Sequence, residues 1–237
     1  MPLIELQNVS KFYKWEHNFR IAVQSIDLTI RQGEFVFIIG SSGSGKSTLL
    51  KLISGQLEPD WGQVLIDGKE VKTKKRFGRK KPNTMFGIVG QKQGLVNRKT
   101  VYQNLMDAAR QGMGFRLDNK RKADDRIKKV LSLVGMKGYE DKYPLEMSLG
   151  ECWQVEFARA LINSPQILVI DEITTKLDDD SIWDIFLFLN ELNRKGTTVI
   201  MATRASQFVN IMHKRVVTMV DGKVFGDVKR GRYGDVV

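Results

Sequence analysis

Apolar and polar residues alternate over Ile4-Glu5-Leu6-Gln7-Asn8-Val9 and again over Ile26-Asp27-Leu28-Thr29-Ile30. This is the period of two that a half-buried strand requires, because successive side chains point to opposite faces. The two segments predict an antiparallel edge sheet. Phe35-Val36-Phe37-Ile38-Ile39 breaks the alternation with a continuous apolar run ending at Gly40, the pattern of a parallel strand covered on both faces. It leads into a turn rich in glycine and serine and then a helix over 48–53.

Beyond Gln91 the spacing turns helical. Thr100-Val101-Tyr102-Gln103-Asn104-Leu105 opens one segment, and Ile127, Val130, Leu131 and Val134 line one face of another that stops at Gly135. Strand patterns return at 166–170 and 197–202. A helix over 181–194 separates them, entered through Asp178-Asp179-Asp180 and closed by Gly196. Strand, helix, strand predicts a parallel sheet. Near the end, 216–220 and 223–225 flank Asp221-Gly222, a two-residue hairpin signal. No internal repeat, low-complexity tract or Pro/Ser-rich linker interrupts the chain. The 237 residues therefore predict a single α/β domain, its core drawn from 1–90 and 162–237 and carrying a helical insertion over 91–161.

Composition adds exclusions. Hydrophobic residues make up 42% of the chain and charged residues 27%, which allows a sizeable core and lies far from disordered compositions. Cys152 is the only cysteine, so a disulfide-stapled secreted scaffold is excluded and a reducing compartment fits. No run approaches the roughly 20 apolar residues that span a bilayer. The opening Met1-Pro2-Leu3-Ile4-Glu5-Leu6 lacks the basic-then-apolar order of a secretion signal, and the expected location is the cytoplasm. The 38 Lys+Arg against 27 Asp+Glu, net +11, admit a polyanionic partner without selecting one. The densest segment holds Lys69, Lys72, Lys74, Lys75, Arg76, Arg79, Lys80 and Lys81 against Glu70 alone. With no aromatic series for base stacking, it reads as a solvated loop.

One stretch carries chemistry directly. Gly40-Ser41-Ser42-Gly43-Ser44-Gly45-Lys46-Ser47-Thr48 fits the phosphate-loop pattern G-x-x-x-x-G-K-[ST] and lies between a buried strand and a helix, the context that pattern needs. Glycines let backbone N–H groups close around a phosphate at a helix N-terminus, where the dipole favours negative charge. Lys46 is placed to reach the β- and γ-phosphates, and the Ser47 hydroxyl to bind Mg²⁺. A second Mg²⁺-side group is expected at the carboxyl end of a neighbouring parallel strand. Ile167-Leu168-Val169-Ile170-Asp171-Glu172 supplies it in Asp171. Glu172, one residue on, is the candidate general base for the attacking water.

Phosphate loop, helical insertion, Ser148-x-Gly150-Glu151, the Asp171-Glu172 strand end and Leu177-Asp178 follow in the order of an ABC-transporter ATP-binding subunit, and the chain resembles that family over nearly its whole length. Within it, Lys99-Thr100-Val101-Tyr102-Gln103-Asn104 and the ending Arg230-Gly231-Arg232-Tyr233-Gly234 look most like the cell-division ATP-binding proteins of the FtsE type. The resemblance implies a P-loop NTPase fold with a mixed core sheet, an antiparallel β edge and an inserted helical subdomain, with ATP and Mg²⁺ as cofactors. It implies that Tyr13 stacks on adenine, and that Gln91 touches Mg²⁺ and reports nucleotide state to a membrane partner. It also implies that Asp178 belongs to a loop crossing the dimer interface, where its residue type equally fits a helix N-cap. Ser148, Gly150 and Glu151 then face the γ-phosphate held by the other subunit, although Ser148 with Glu151 also makes an ordinary capping box.

The family pattern is broken at three points. Leu149 stands where a glycine is usual, Ile173 where proline is usual, and Arg204 where a histidine contacts the γ-phosphate. The two histidines, His17 and His213, lie elsewhere and read as surface or packing residues. Arginine cannot exchange a proton near neutral pH. It either stabilises phosphate charge or pairs with Glu172 and neutralises the base. The expected protein is thus a cytoplasmic, membrane-peripheral ATPase, homodimeric or paired with another ATP-binding chain, that drives a separate FtsX-like membrane subunit. The alternatives are a nucleotide-binding scaffold with little hydrolysis and the ATPase of a lipoprotein or peptide exporter; nucleic acid is not an expected partner.

Overall fold

The computed structural model describes residues 2–15, 18–71, 75–76, 79–80, 85–90, 94–113, 119–173 and 179–235. Strands β1 (Pro2–Trp15) and β2 (Asn18–Arg31) form a long antiparallel ribbon, and β4 (Trp61–Ile66) and β5 (Lys69–Glu70) complete a four-stranded sheet in the order β2-β1-β4-β5. Both ribbon strands run well beyond the alternating segments. The burial of β2 explains this: buried positions begin at Val23, while Asn18 to Ile21 stay exposed, so Phe19 and Ile21 alternate with polar neighbours without reaching a core. The expected solvated loop after β4 instead contains β5 and a two-stranded ribbon of β6 (Lys75–Arg76) and β7 (Arg79–Lys80), with Lys75 opposite Lys80 and Arg76 opposite Arg79. The remainder of that basic segment, apart from Val71, lies outside the described residues.

A second sheet has six strands in the order β12-β11-β3-β10-β9-β8. These are β3 (Phe35–Ile39), β8 (Phe86–Val89), β9 (Ile167–Asp171), β10 (Thr198–Ala202), β11 (Arg215–Val220) and β12 (Lys223–Val228). All neighbours are parallel except the hairpin β11–β12. The continuous apolar runs have a simple origin, since each strand feeds two cores. Phe35, Phe37, Ile39, Leu168, Ile170, Val199 and Met201 pack on the helical side, whereas Val36, Ile38, Ile167, Val169, Ile200 and Ala202 pack on the side of the antiparallel sheet. A period of two remains, but both phases are buried.

Helix α1 (Lys46–Ile53) fills the space between the sheets through Leu49, Leu50, Leu52 and Ile53. Between β8 and β9 come α2 (Val101–Met113), α3 (Asn119–Leu133) and α4 (Leu149–Leu161), and after β9 come α5 (Asp179–Arg194) and α6 (Ser206–Met212). The face of α3 predicted from its spacing is the one buried: Ile127, Val130 and Leu131 join the helical-side core with Val134 just beyond. Gly135, at φ 76, ends the helix there, with the Met136 amide donating to the Leu131 carbonyl at 2.8 Å. Among the described residues no helix is long and apolar enough to cross a membrane.

Candidate active site

The carboxyl ends of β3, β10 and β9 lie side by side, in register through Ala202 opposite both Ile38 and Asp171. The three loops that leave them carry Gly40–Ser47, Arg204 and Glu172. Chain reversal after β3 depends on two glycines. A Cβ on Gly40 (φ 144) would meet the Met219 carbonyl oxygen at 2.2 Å, and one on Gly45 (φ 100) would meet that of Ala22 at the same distance. Ser41, Ser42 and Gly43 are exposed, Ser47 and Thr48 half-buried. Lys46 folds back over the loop, its Nζ donating to the Gly40 and Ser41 carbonyls at 2.8 Å each.

The two acids point apart. Asp171 accepts from the Ser47 hydroxyl, Oγ to Oδ1 3.0 Å, which joins a hydroxyl and a carboxylate as a pair of hard oxygen donors. A cleft of about 340 Å³ opens beside them, lined by Lys51 and Gly90 among others. Glu172 turns the other way, its Oε1 3.9 Å from Lys46 Nζ. Its backbone is left-handed (φ 43), held there by its amide donating to the Ala202 carbonyl at 3.1 Å. A non-glycine residue in that region is costly and persists where its surroundings over-determine it.

Arg204 contacts both oxygens of Glu172, Nε to Oε1 at 2.9 Å and Nη2 to Oε2 at 3.2 Å. Of the two roles open to this arginine, the structure displays the pairing with the acid. Glu172 is 9% exposed and Arg204 44%, so the guanidinium closes over the carboxylate from the solvent side. Ile173 beside it is buried in the helical-side core.

Electrostatics and packing fit an anionic ligand and a cation. Burial pushes the Lys46 amine below its usual range, only partly opposed by Glu172. Burial pushes the Asp171 carboxyl up, against the Ser47 hydrogen bond. Each charge is therefore under-compensated by the protein alone. The Ser44 hydroxyl is buried without a hydrogen-bond partner, an orphan of the kind a bound group satisfies. Triphosphate oxygens over Lys46, and Mg²⁺ at Ser47 and Asp171, match these residues.

The other candidates are distributed differently. Tyr13 stands on β1, 39% exposed. Gln91 and Asp178 lie outside the described residues. Ser148 caps α4 as predicted: its Oγ accepts from the Glu151 amide at 3.2 Å, and its own amide donates to Glu151 Oε2 at 2.7 Å. Ser148, Gly150 and Glu151 line a separate cavity of about 410 Å³ with Asp184 and Phe188, to which the phosphate loop contributes nothing. Leu149, 38% exposed at the start of α4, projects bulk at that helix end. Sequence reasoning missed Tyr139, whose hydroxyl donates to Glu151 Oε1 at 2.7 Å and holds that carboxyl below its usual range.

It also missed Glu156, only 1% exposed, whose single sequence signal is an acid between apolar Val155 and Phe157 with Arg159 three residues on. Glu156 accepts from the Gly94 amide and lies 2.6 Å from Arg159 Nη2, while Arg159 Nη1 donates to the Gly94 carbonyl at 2.7 Å. The pair fastens α4 to the chain just past Gln91. Arg159→Ala leaves this carboxylate uncompensated and is expected to cost about 3 kcal/mol in denaturant unfolding. Burial raises the Glu156 carboxyl above its usual range. The ionised form is thus the one that loses stability as pH rises, and the Arg159→Ala deficit should shrink as acid neutralises Glu156.

A strand-loop-helix phosphate cradle facing paired acids at the end of a parallel strand one place removed in the same sheet defines a nucleoside-triphosphatase site. The ABC transporter family model matches residues 23–175, and the chain belongs to that family, in its ATP-binding, ATPase class. The cell division ATP-binding protein FtsE of Bacillus subtilis is 38% identical over 236 residues, covering 98% of this chain and 99% of that one. The methionine import ATP-binding protein MetN of the same organism is 36% identical over 241 residues, covering 99% and 67%. A dimeric bacterial ABC transporter cassette superposes with TM-score 0.83 at 29% identity over 97% of this chain and 100% of its own. The same cassette in a post-hydrolysis state bound to ADP and Pi gives 0.81 at 27% identity, again over 97% and 100%.

Proposed function

We propose that this chain binds and hydrolyses Mg-ATP to drive a separate membrane protein, as the ATPase of an FtsEX-like complex in cell division. One observation carries the chemistry: the phosphate loop, Asp171 and Glu172 converge, with Ser47 on Asp171 at 3.0 Å and Lys46 beside Glu172 at 3.9 Å. Gly40, Ser41, Ser42, Gly43, Ser44, Gly45 and Thr48 surround the phosphates, Lys46 neutralises them, and Ser47 and Asp171 hold Mg²⁺ with Gln91. Held there, Mg²⁺ would supply positive charge against the phosphates, and Glu172 takes the proton of the attacking water. Tyr13 receives the adenine ring. Ser148, Gly150, Glu151 and Asp178 serve the site of a second ATP-binding chain, identical or related, so the working unit is a dimer in which each site is composite. Full-length similarity to FtsE supports the cell-division role and an FtsX-like partner at the cytoplasmic face of the membrane; an import or export ATPase is the alternative, with MetN similarity behind import. Gln91 reports nucleotide state to that membrane partner.

Single-turnover hydrolysis of Mg-ATP by the parent, with nucleotide binding measured in the same samples, tests this reading. Hydrolysis by the parent supports it, and binding without hydrolysis turns it into the second reading, a nucleotide-gated scaffold. That second reading draws on the Arg204–Glu172 pair, since a carboxylate engaged through both oxygens is poorly placed to accept a proton. Arg204→His should free the base and raise the single-turnover rate by roughly tenfold. A lower rate in that variant would make Arg204 an adapted catalytic group instead.

A further inference from the structure

We infer that Arg20 is a nucleotide-binding residue, gripping the base-proximal (α) phosphate from outside the phosphate loop. The inference rests on the nucleotide reading of that loop and on Tyr13 as the adenine platform. Strand β2 passes over the loop at two points. At one, the Ala22 carbonyl occupies the space a Cβ on Gly45 would need. At the other, Arg20 Nη2 lies 3.4 Å from where a Cβ on Gly43 would stand. The guanidinium therefore rests on the loop at a glycine, where the backbone leaves room for a close approach.

The ladder places the same arginine beside the base site. Arg20 is the cross-strand partner of Tyr13 in the β1–β2 pairing, and directly opposite residues project from the same face of a sheet. Lys46 reaches the β- and γ-phosphates and the loop amides cradle the α- and β-phosphates from one side, so with an adenine on Tyr13 the ribose and the outer side of the α-phosphate span the interval. Arg20 lies in that interval, between Tyr13 and Gly43. Arg20 is exposed, and among the described residues no carboxylate pairs with it, so its planar fork is available to phosphate oxygens. The loop motif itself supplies backbone amides to this phosphate and assigns it no side chain.

The test measures affinity rather than turnover. Parent, Arg20→Ala, Arg20→Lys and Lys46→Ala are titrated with Mg-ADP and with AMP. Arg20→Ala is expected to weaken both ligands about tenfold, with Arg20→Lys recovering part of the loss because it restores charge without the fork. The unliganded melting temperature should stay at the parent value, while the ADP-induced upward shift shrinks. Parent-like ADP affinity in Arg20→Ala, with Lys46→Ala defective, overturns the inference. Weakened ADP with unchanged AMP overturns the α-phosphate assignment. Parent-like binding in both Arg20→Ala and Lys46→Ala overturns the loop reading on which it stands.

Discussion

Lys46→Ala is expected to weaken Mg-ATP binding by about a hundredfold or more in equilibrium titration, the loss of two charge-assisted phosphate contacts at roughly 1.5–3 kcal/mol each. The ammonium is 5% exposed and bonded to two loop carbonyls, so it serves both as counter-charge to phosphate and as the tie that holds the loop closed. Its amine is pushed below its usual range by burial, which means the charged form is a cost to the folded chain on its own. By linkage, removing a group whose folded value is lowered forfeits no charge-derived stability. Lys46→Met, which preserves bulk, should therefore bind nucleotide as poorly as Lys46→Ala, and any fall in its melting temperature reflects the two lost loop hydrogen bonds rather than the lost charge. Unchanged affinity in either variant would falsify the phosphate-loop reading.

Glu172→Gln should retain Mg-ATP binding and lower the single-turnover rate by roughly 10²–10⁴-fold, the usual contribution of a positioned general base. The amide keeps the shape of the side chain and one acceptor for Arg204, but it cannot take up a proton. Backbone strain sharpens the expectation. Glu172 is held at φ 43 by neighbouring strands rather than by its own side chain, so the substitution should leave the loop in place. A rate equal to the parent's would remove Glu172 from the base role, and Arg204 would then have nothing to restrain.

The two predictions draw on features of different legibility. The phosphate loop was readable because its glycines, lysine and serine are consecutive, and their geometry follows from local backbone rules. The Ser148–Glu151 capping box was readable for the same reason, and its hydrogen bonds form as the spacing predicts. The distal halves of β1 and β2 were not, because the alternation of Phe19 and Ile21 with Asn18 and Arg20 is too short to mark a strand and its apolar side chains stay exposed rather than joining a core. The basic segment misled as a loop, since two-residue strands such as β6 and β7 are too short for any period. Glu156 was passed over because a single acid in an amphipathic helix looks solvated until its burial and its Arg159 and Gly94 partners are known.

By itself the sequence determined the local chemistry: an α/β chain with buried parallel strands, a phosphate-binding turn at a helix start, two acids at the end of an apolar strand, and an arginine where the family has histidine. Only the tertiary structure decided which of these meet. Ser47 reaches Asp171 across 124 residues and Arg204 reaches Glu172 across 32, because β10 is inserted between β3 and β9 and brings three carboxyl ends to one edge. Sheet order is set by how the strands share two cores, a non-local packing outcome that no hydrophobic period records. The same limit applies to Arg20. Its type was visible from the start, but the ribbon register and the path of β2 over Gly43 put its charge on the loop.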